Sequence, residues 1–233
     1  MYQERASRHE GAVVWSRTSR RAHEPTYPVL PDGCMDLLWM HGRLYVAGPD
    51  VTAHTPGAAG GDGTVAGLRF APGTAYSVLG VPARELRDRR VELADLWPAA
   101  EVRGLAARVA AAEDAATALE SVALERAADS APADPLPRLV AGQLQAGHGV
   151  AATADALGVG ARRLHRSSLD AFGYGPKTLA RILRLQRALA LARTGTSFAE
   201  TAAAAGFADQ AHMSRDVRDL AGMPLRRLLD LEP

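Results

Sequence analysis

The chain has 233 residues, 47% of them hydrophobic and 23% charged, the composition of a soluble globular protein with room for two modest domains. No apolar run approaches the roughly 20 residues of a membrane span, and the first ten residues lack the apolar core of a secretory signal, so the cytoplasm is the expected compartment and no membrane is expected as a partner. The single cysteine, Cys34, excludes an internal disulfide framework.

In chain order, residues 1–10 carry mixed charge without a period and read as a frayed tail. Short β-prone runs follow at 12–15, 27–30, 35–40 and 44–47, bounded by Pro, Gly and Asp, with His41-Gly42-Arg43 as a hairpin turn. The glycine-rich stretch 55–63 reads as a flexible surface loop whose glycines match no phosphate-binding spacing, and 65–70 as a further strand. Past Pro72-Gly73 the period changes. Residues 74–79 and 82–87 read as short helices, and an alanine-rich helical stretch runs from Ala99 to Ala128 with a break near Glu113-Asp114. In the linker 131–135, Asp134 caps the next helix and Pro135 opens it.

Beyond the linker one short pattern occurs twice. In the first copy, Ala154, Gly158 and Leu164 supply a small residue at a helix crossing, a left-handed turn and a core anchor. In the second, Ser197 and Glu200 form a capping box, Gly206-Phe207 turns the chain, and Asp209 caps a helix from Gln210 to Ala221 that ends at Gly222-Met223-Pro224. Between the copies, Pro176 to Arg193 reads as one helix about 27 Å long, which would set two recognition helices about one turn of B-DNA apart. The predicted fold class is therefore α+β. A β-containing domain with helices (1–130) precedes an all-α domain (136–233) of two helix-turn-helix units joined by a long helix.

Charge follows the same division. Residues 1–133 have a net charge of −3 and 134–233 of +4, and from Gly160 to Arg193 eight basic residues stand against Asp170 alone. That is the footprint of a phosphate-binding face, and the expected partner is double-stranded DNA.

The segments Phe172-Gly173-Tyr174-Gly175-Pro176-Lys177, Arg184-Leu185-Gln186-Arg187-Ala188 and Ala205-Gly206-Phe207-Ala208-Asp209-Gln210-Ala211-His212-Met213-Ser214-Arg215 closely resemble the double helix-turn-helix domain of AraC/XylS-type transcription regulators. The resemblance covers about the last 100 residues. Gly160 departs from the family's usual Ser, Val217 from its usual Phe, and Met223-Pro224 from its usual Thr-Pro. The stretches 30–39, 47–50 and 67–73 resemble the N-terminal domain of a bacterial subgroup of these regulators, which implies a sensor position and no chemistry. By resemblance the protein is a transcription factor, an activator rather than a repressor, answering to an unknown small-molecule effector, with a homodimer and RNA polymerase as further candidate partners.

In the first recognition helix Arg162, His165 and Arg166 share the outward face, with Arg163 beside them and Leu164 turned to the core; an arginine there can bond a guanine edge with both nitrogens. In the second, Gln210, Ala211, Ser214 and Arg215 face outward, and Gln210 suits adenine. Lys177, Arg181 and Arg184 on the connecting helix are the expected phosphate contacts. His212 is expected to pack against the turn. In the first half, Asp32, Cys34 and Asp36 form the candidate sensor group. Two carboxylates beside a thiol raise its pKa, which favours a buried core cysteine over a reactive one. Cys34 with His41 and His54 lacks the paired short spacings of a metal site, so neither metal nor other cofactor is expected. No nucleophile elbow, His-Glu-x-x-His helix or Walker loop occurs, which argues against an enzyme. The rival reading is a Cys34-reactive or ligand-transforming N-terminal domain coupled to a DNA-binding module.

Overall fold

The computed structural model describes residues 1–19, 27–55, 63–130 and 132–231. Six strands form one antiparallel sheet: β1 (Tyr2–Ala6), β2 (Ala12–Ser19), β3 (Met35–Met40), β4 (Arg43–Ala47), β5 (Gly63–Phe70) and β6 (Arg90–Glu92), in the order β1-β2-β5-β3-β4-β6. His41 and Gly42 both take positive φ, 52° and 73°, as a two-residue hairpin requires to match the twist of β3 and β4. Alternation sends Val14, Leu37, Val46, Leu68 and Phe70 to one face, where all are buried. That face is covered by helices α1 (Tyr76–Leu79), α3 (Ala99–Ala111) and α4 (Ala115–Ala128); α4 lies across β2, β5 and β3, and α2 (Ala83–Leu86) faces the other half of the chain. The break between α3 and α4 falls where expected, and Asp114 caps α4 by accepting from the N–H groups of Ala116 and Thr117.

Two expectations for this half change. The first residues are not a frayed tail but the edge strand β1, paired from Tyr2↔Arg17 to Ala6↔Val13. Its anchor is Glu120 of α4, whose side chain is 1% exposed and accepts from Ser7 Oγ (2.8 Å), the Arg8 N–H (2.7 Å) and the guanidinia of Arg5 and Arg8. Periodicity within ten residues does not reveal an anchor more than a hundred residues away. The run 27–30 makes only a single bridge, Val29↔His54, and most of the glycine-rich stretch 55–63, namely 56–62, lies outside the described residues.

The helical half comprises α5 (Leu136–Gln145), α6 (Val150–Ala156), α7 (Ala161–Phe172), α8 (Pro176–Arg193), α9 (Phe198–Ala205), α10 (Gln210–Ala221) and α11 (Leu225–Leu231). Asp134 accepts the Leu136 N–H at 2.9 Å, the cap read from the sequence. Leu179, Ile182, Leu185 and Leu189 of α8 are fully buried, and this stripe is the spine on which α5, α6, α7, α9, α10 and α11 pack.

The two halves meet in a broad seam. Leu30 and Val51 from the first half pack against the helical core, Gln186 Nε2 donates to the Pro31 carbonyl (2.7 Å), and the Ala53 N–H donates to the Leu220 carbonyl at the end of α10 (2.7 Å). Helix α2 packs on α7, with Arg84 paired to Asp170. Gly173, the left-handed cap of α7 at φ 77°, admits Pro49: a Cβ there would lie 2.8 Å from the proline ring. The segment that carries Pro49 is itself fixed by a two-pronged Arg90–Asp50 pair at 2.7 and 2.6 Å.

Burial opposes ionisation of Glu120, but the Arg5 pair and the bonds from Arg8 and Ser7 outweigh it and hold its pKa down to about 2, below the ordinary 4.5. A depressed carboxylate stabilises the fold above its unfolded pKa and loses that contribution as pH falls through the folded value. Glu120→Gln should therefore cost about 1–3 kcal/mol at pH 7, and its urea midpoint should converge on that of the wild type as the pH is lowered towards 2. An equal gap at both pH values would contradict the role of the charge.

Candidate nucleic-acid interface

The first unit is α6, a turn with Gly158 at φ 62°, and α7. Gly160 precedes α7 and offers no side-chain cap, so the first turn of α7 lacks the bond a Ser would supply. Leu164, Ser168 and Phe172 point into the core; Ser168 Oγ donates to the Leu164 carbonyl at 2.7 Å, which allows a polar residue at a buried position. Arg162, Arg163, His165 and Arg166 are exposed. His165 lies beside the backbone that opens α8, where a Cβ on Gly175 would come within 3.0 Å of the imidazole. Arg166 lies between two directions, sharing the outward face with Arg162 and also lining, with Arg163, a cleft against the first half.

The second unit is α9, Gly206 at φ 87°, and α10. Its expected caps are present: Ser197 and Glu200 bond reciprocally, and Asp209 Oδ1 accepts the His212 N–H at 2.6 Å. Gln210, Ala211 and Arg215 are exposed and Ser214 half-buried, while Met213, Val217 and Leu220 are buried. Val217, where the family usually has Phe, is fully buried. His212 packs edge-on against Phe207 at 5.3 Å, with its Nδ1 accepting from the Ala208 N–H.

The arginines of α8 have other partners than the expected phosphates. Arg181 and Arg184 both donate to Asp216 of α10, at 2.9 and 2.7 Å; Arg181 also reaches Asp219, and Arg184 lies 4.5 Å above the Phe207 ring. Burial would raise the Asp216 pKa, but the two guanidinia lower it below the usual carboxylate range. Arg187 donates to the carbonyls of Leu144, Gln145 and Ala205, closing the C-terminal ends of α5 and α9 with one guanidinium. Arg193 also has a partner. Of the eight basic residues between Gly160 and Arg193, Arg162, Arg163, Arg166 and Lys177 make no hydrogen bond or ion pair among the described residues. Asp216 and Arg187 were not singled out in the sequence because a charge on an amphipathic helix does not announce whether its partner is solvent, phosphate or another helix.

The candidate sensor group is a partly buried ionic cluster. Asp36 accepts from Trp15 Nε1 at 2.7 Å, Arg69 lies 3.3 Å from Asp36 and 3.8 Å from Asp32, and Asp32 Oδ1 accepts the Cys34 N–H at 2.8 Å. Burial, then Asp32 and Asp36, push the Cys34 thiol well above its ordinary value, so the reactive thiolate is disfavoured. Cys34, His41 and His54 do not converge on a metal position, and no other group of three such residues does among the described residues.

Two helix-turn-helix units held by one helix, each presenting a polar outer face, form a bipartite domain joined to an α+β domain. The helix-turn-helix domain family matches residues 153–230, and the domain of unknown function DUF6597 matches residues 12–92. Each of these two family models covers about a third of the chain. The crystal structure of ToxT from Vibrio cholerae O395 superposes over 99% of this chain and 97% of its own at 11% identity and a TM-score of 0.50, a likeness of fold. A probable AraC family transcriptional regulator from Rhodopseudomonas palustris CGA009 is 25% identical over 43% of this chain and 100% of its own, with a TM-score of 0.37. No curated protein matches the sequence significantly.

Two measurements follow from this geometry. Cys34 in the folded protein should react with a disulfide reagent at pH 7.5 at least tenfold more slowly than in urea-unfolded protein, since its folded pKa lies above the unfolded one. Equal rates would restore the reactive-thiol reading. Arg187→Ala should cost about 1.5–3 kcal/mol of stability, as expected for charge-assisted bonds to helix-end carbonyls; an unchanged denaturation midpoint would show that solvent replaces it.

Proposed function

We infer that the protein is a cytoplasmic, sequence-specific transcription regulator in which α7 and α10 read successive major grooves of double-stranded DNA. The observation that supports this most is the pair of outward faces, exposed Arg162, His165 and Arg166 on α7 and exposed Gln210, Ala211 and Arg215 with half-buried Ser214 on α10, carried by the single helix α8. The 18 residues of α8 span about 27 Å, and with the width of the flanking units the two faces fit one turn of duplex. Lys177 at the start of α8 serves as a phosphate contact. Arg181 and Arg184 act chiefly by locking α10 to α8, through Asp216.

The N-terminal domain, in this reading, answers to a small molecule and passes its state through the seam at α2 and α7. Homodimerisation through the exposed edge strand β1 and activation by contact with RNA polymerase complete the proposal. A Cys34-based chemistry is the weaker alternative, because the thiol is held protonated.

Selection of bound duplexes from a random pool by the full-length protein tests this directly. On the selected operator Arg162→Ala should cost about 1–3 kcal/mol and on scrambled duplex clearly less; equal losses would make Arg162 a phosphate contact. Plots of log affinity against log salt should flatten by about 0.9 in slope for Lys177→Ala, whereas Arg181→Ala should leave the slope nearly unchanged and lower stability instead. A slope unaffected by Lys177→Ala would remove that contact.

A further inference from the structure

Between α1–α2 of the first half and α7 of the second lies an open cleft of ≈ 490 Å³, within the range of a few hundred Å³ typical of small-molecule sites. Both halves wall it: Thr74, Tyr76 and Ser77 on one side, Arg163, Arg166 and Ser167 on the other, with linker residue Ala133 at its edge. Two aspartates also line it, and both are engaged. Asp170 is paired with Arg84, and Asp134 accepts the Leu136 N–H at the start of α5, where the helix dipole further offsets its charge. The guanidinia of Arg163 and Arg166, one turn apart on α7, have no hydrogen bond or ion pair among the described residues.

Two uncompensated cations in a walled cleft match a dianion, and the planar donor fork of arginine suits phosphate oxygens in particular. The opposite wall has a different chemistry. Thr74 Oγ1 and Ser77 Oγ give their hydrogens to the carbonyls of Ala71 and Thr74, both at 2.9 Å, so their oxygens remain as acceptors for ligand hydroxyls. Tyr76, 56% exposed, offers a ring surface to a compact organic body.

We propose that this cleft is an effector site for a small hydroxylated phosphate monoester, held by Arg163 and Arg166, and that Arg166 is shared between this ligand and DNA so that the two exclude one another. The exclusion rests on the reading of α7 as a DNA-reading helix; occupancy of the cleft does not. A ligand there touches both domains and the recognition helix at once, and so has a direct route from sensing to DNA affinity.

The test uses full-length protein with sorbitol 6-phosphate and ribose 5-phosphate as probes, and inorganic phosphate and sorbitol as controls. Calorimetry without DNA should show at least one probe binding at least tenfold more tightly than inorganic phosphate, with Arg163→Gln weakening it at least tenfold. Ala133→Trp, on an exposed linker residue away from both reading faces, should block the probe yet leave duplex binding in its absence unchanged. The probe should then release a selected duplex from the wild type and not from Ala133→Trp. Probes no tighter than inorganic phosphate, or binding that survives both substitutions, overturn the site; probe and duplex bound together overturn the sharing of Arg166. If no duplex is selected at all, the DNA reading falls, and calorimetry alone still decides the cleft.

Discussion

The buried stripe of α8 is the constraint on which the helical half depends. Leu179, Ile182, Leu185 and Leu189 lie in register along an uninterrupted helix, and each helix-turn-helix unit packs against one stretch of it. Neither unit has enough apolar surface to close a core alone, so their separation and relative rotation are set by where α8 lets them bury what they have. The arginines of α8 reinforce this from outside the stripe. Arg187 ties α5 and α9 at their C-terminal ends, and Arg181 and Arg184 tie α10 through Asp216. A helix rich in positive charge is thus in large part a framework whose charges are turned inward.

That framework has consequences for the other half. Surfaces of α7, α8 and α10 meet loops of the first domain, through Pro31, Pro49, Val51 and Ala53. The stretch 131–135 precedes the helical half along the chain, yet Leu30 and Val51 contribute to the helical core from more than 80 residues upstream. Movement of the first domain relative to α7 would change what Arg84, Arg163 and Arg166 face, which makes the seam mechanically suited to coupling the two halves.

Much of the second half was legible in the sequence because its signals are local. Gly158 and Gly206 adopt positive φ, Ser197, Glu200 and Asp209 cap through bonds within three residues, and the apolar period of α8 needs only its own residues. The sheet was legible in part for the same reason: β3, β4 and the His41-Gly42 turn carry alternation and turn chemistry side by side. The first strand was not legible, since β1 exists through its pairing with β2 and through Glu120 on α4.

The sequence by itself determined the repeated helix-turn-helix pattern, the helix between its copies and the outward positions of Arg162, His165, Gln210 and Arg215, because helical periodicity fixes which residues share a face. Only the tertiary structure decided which of the chain's charged groups already have partners within the fold. Arg181, Arg184 and Arg187 meet Asp216 and three helix-end carbonyls, Cys34 lies among Asp32, Asp36 and Arg69, and Arg166 borders a cleft built by both halves. The reason is physical: a guanidinium on a helix surface has the same local sequence whether its partner is water, a phosphate or a carboxylate, and its partner is fixed by what folding brings within a few ångströms of it.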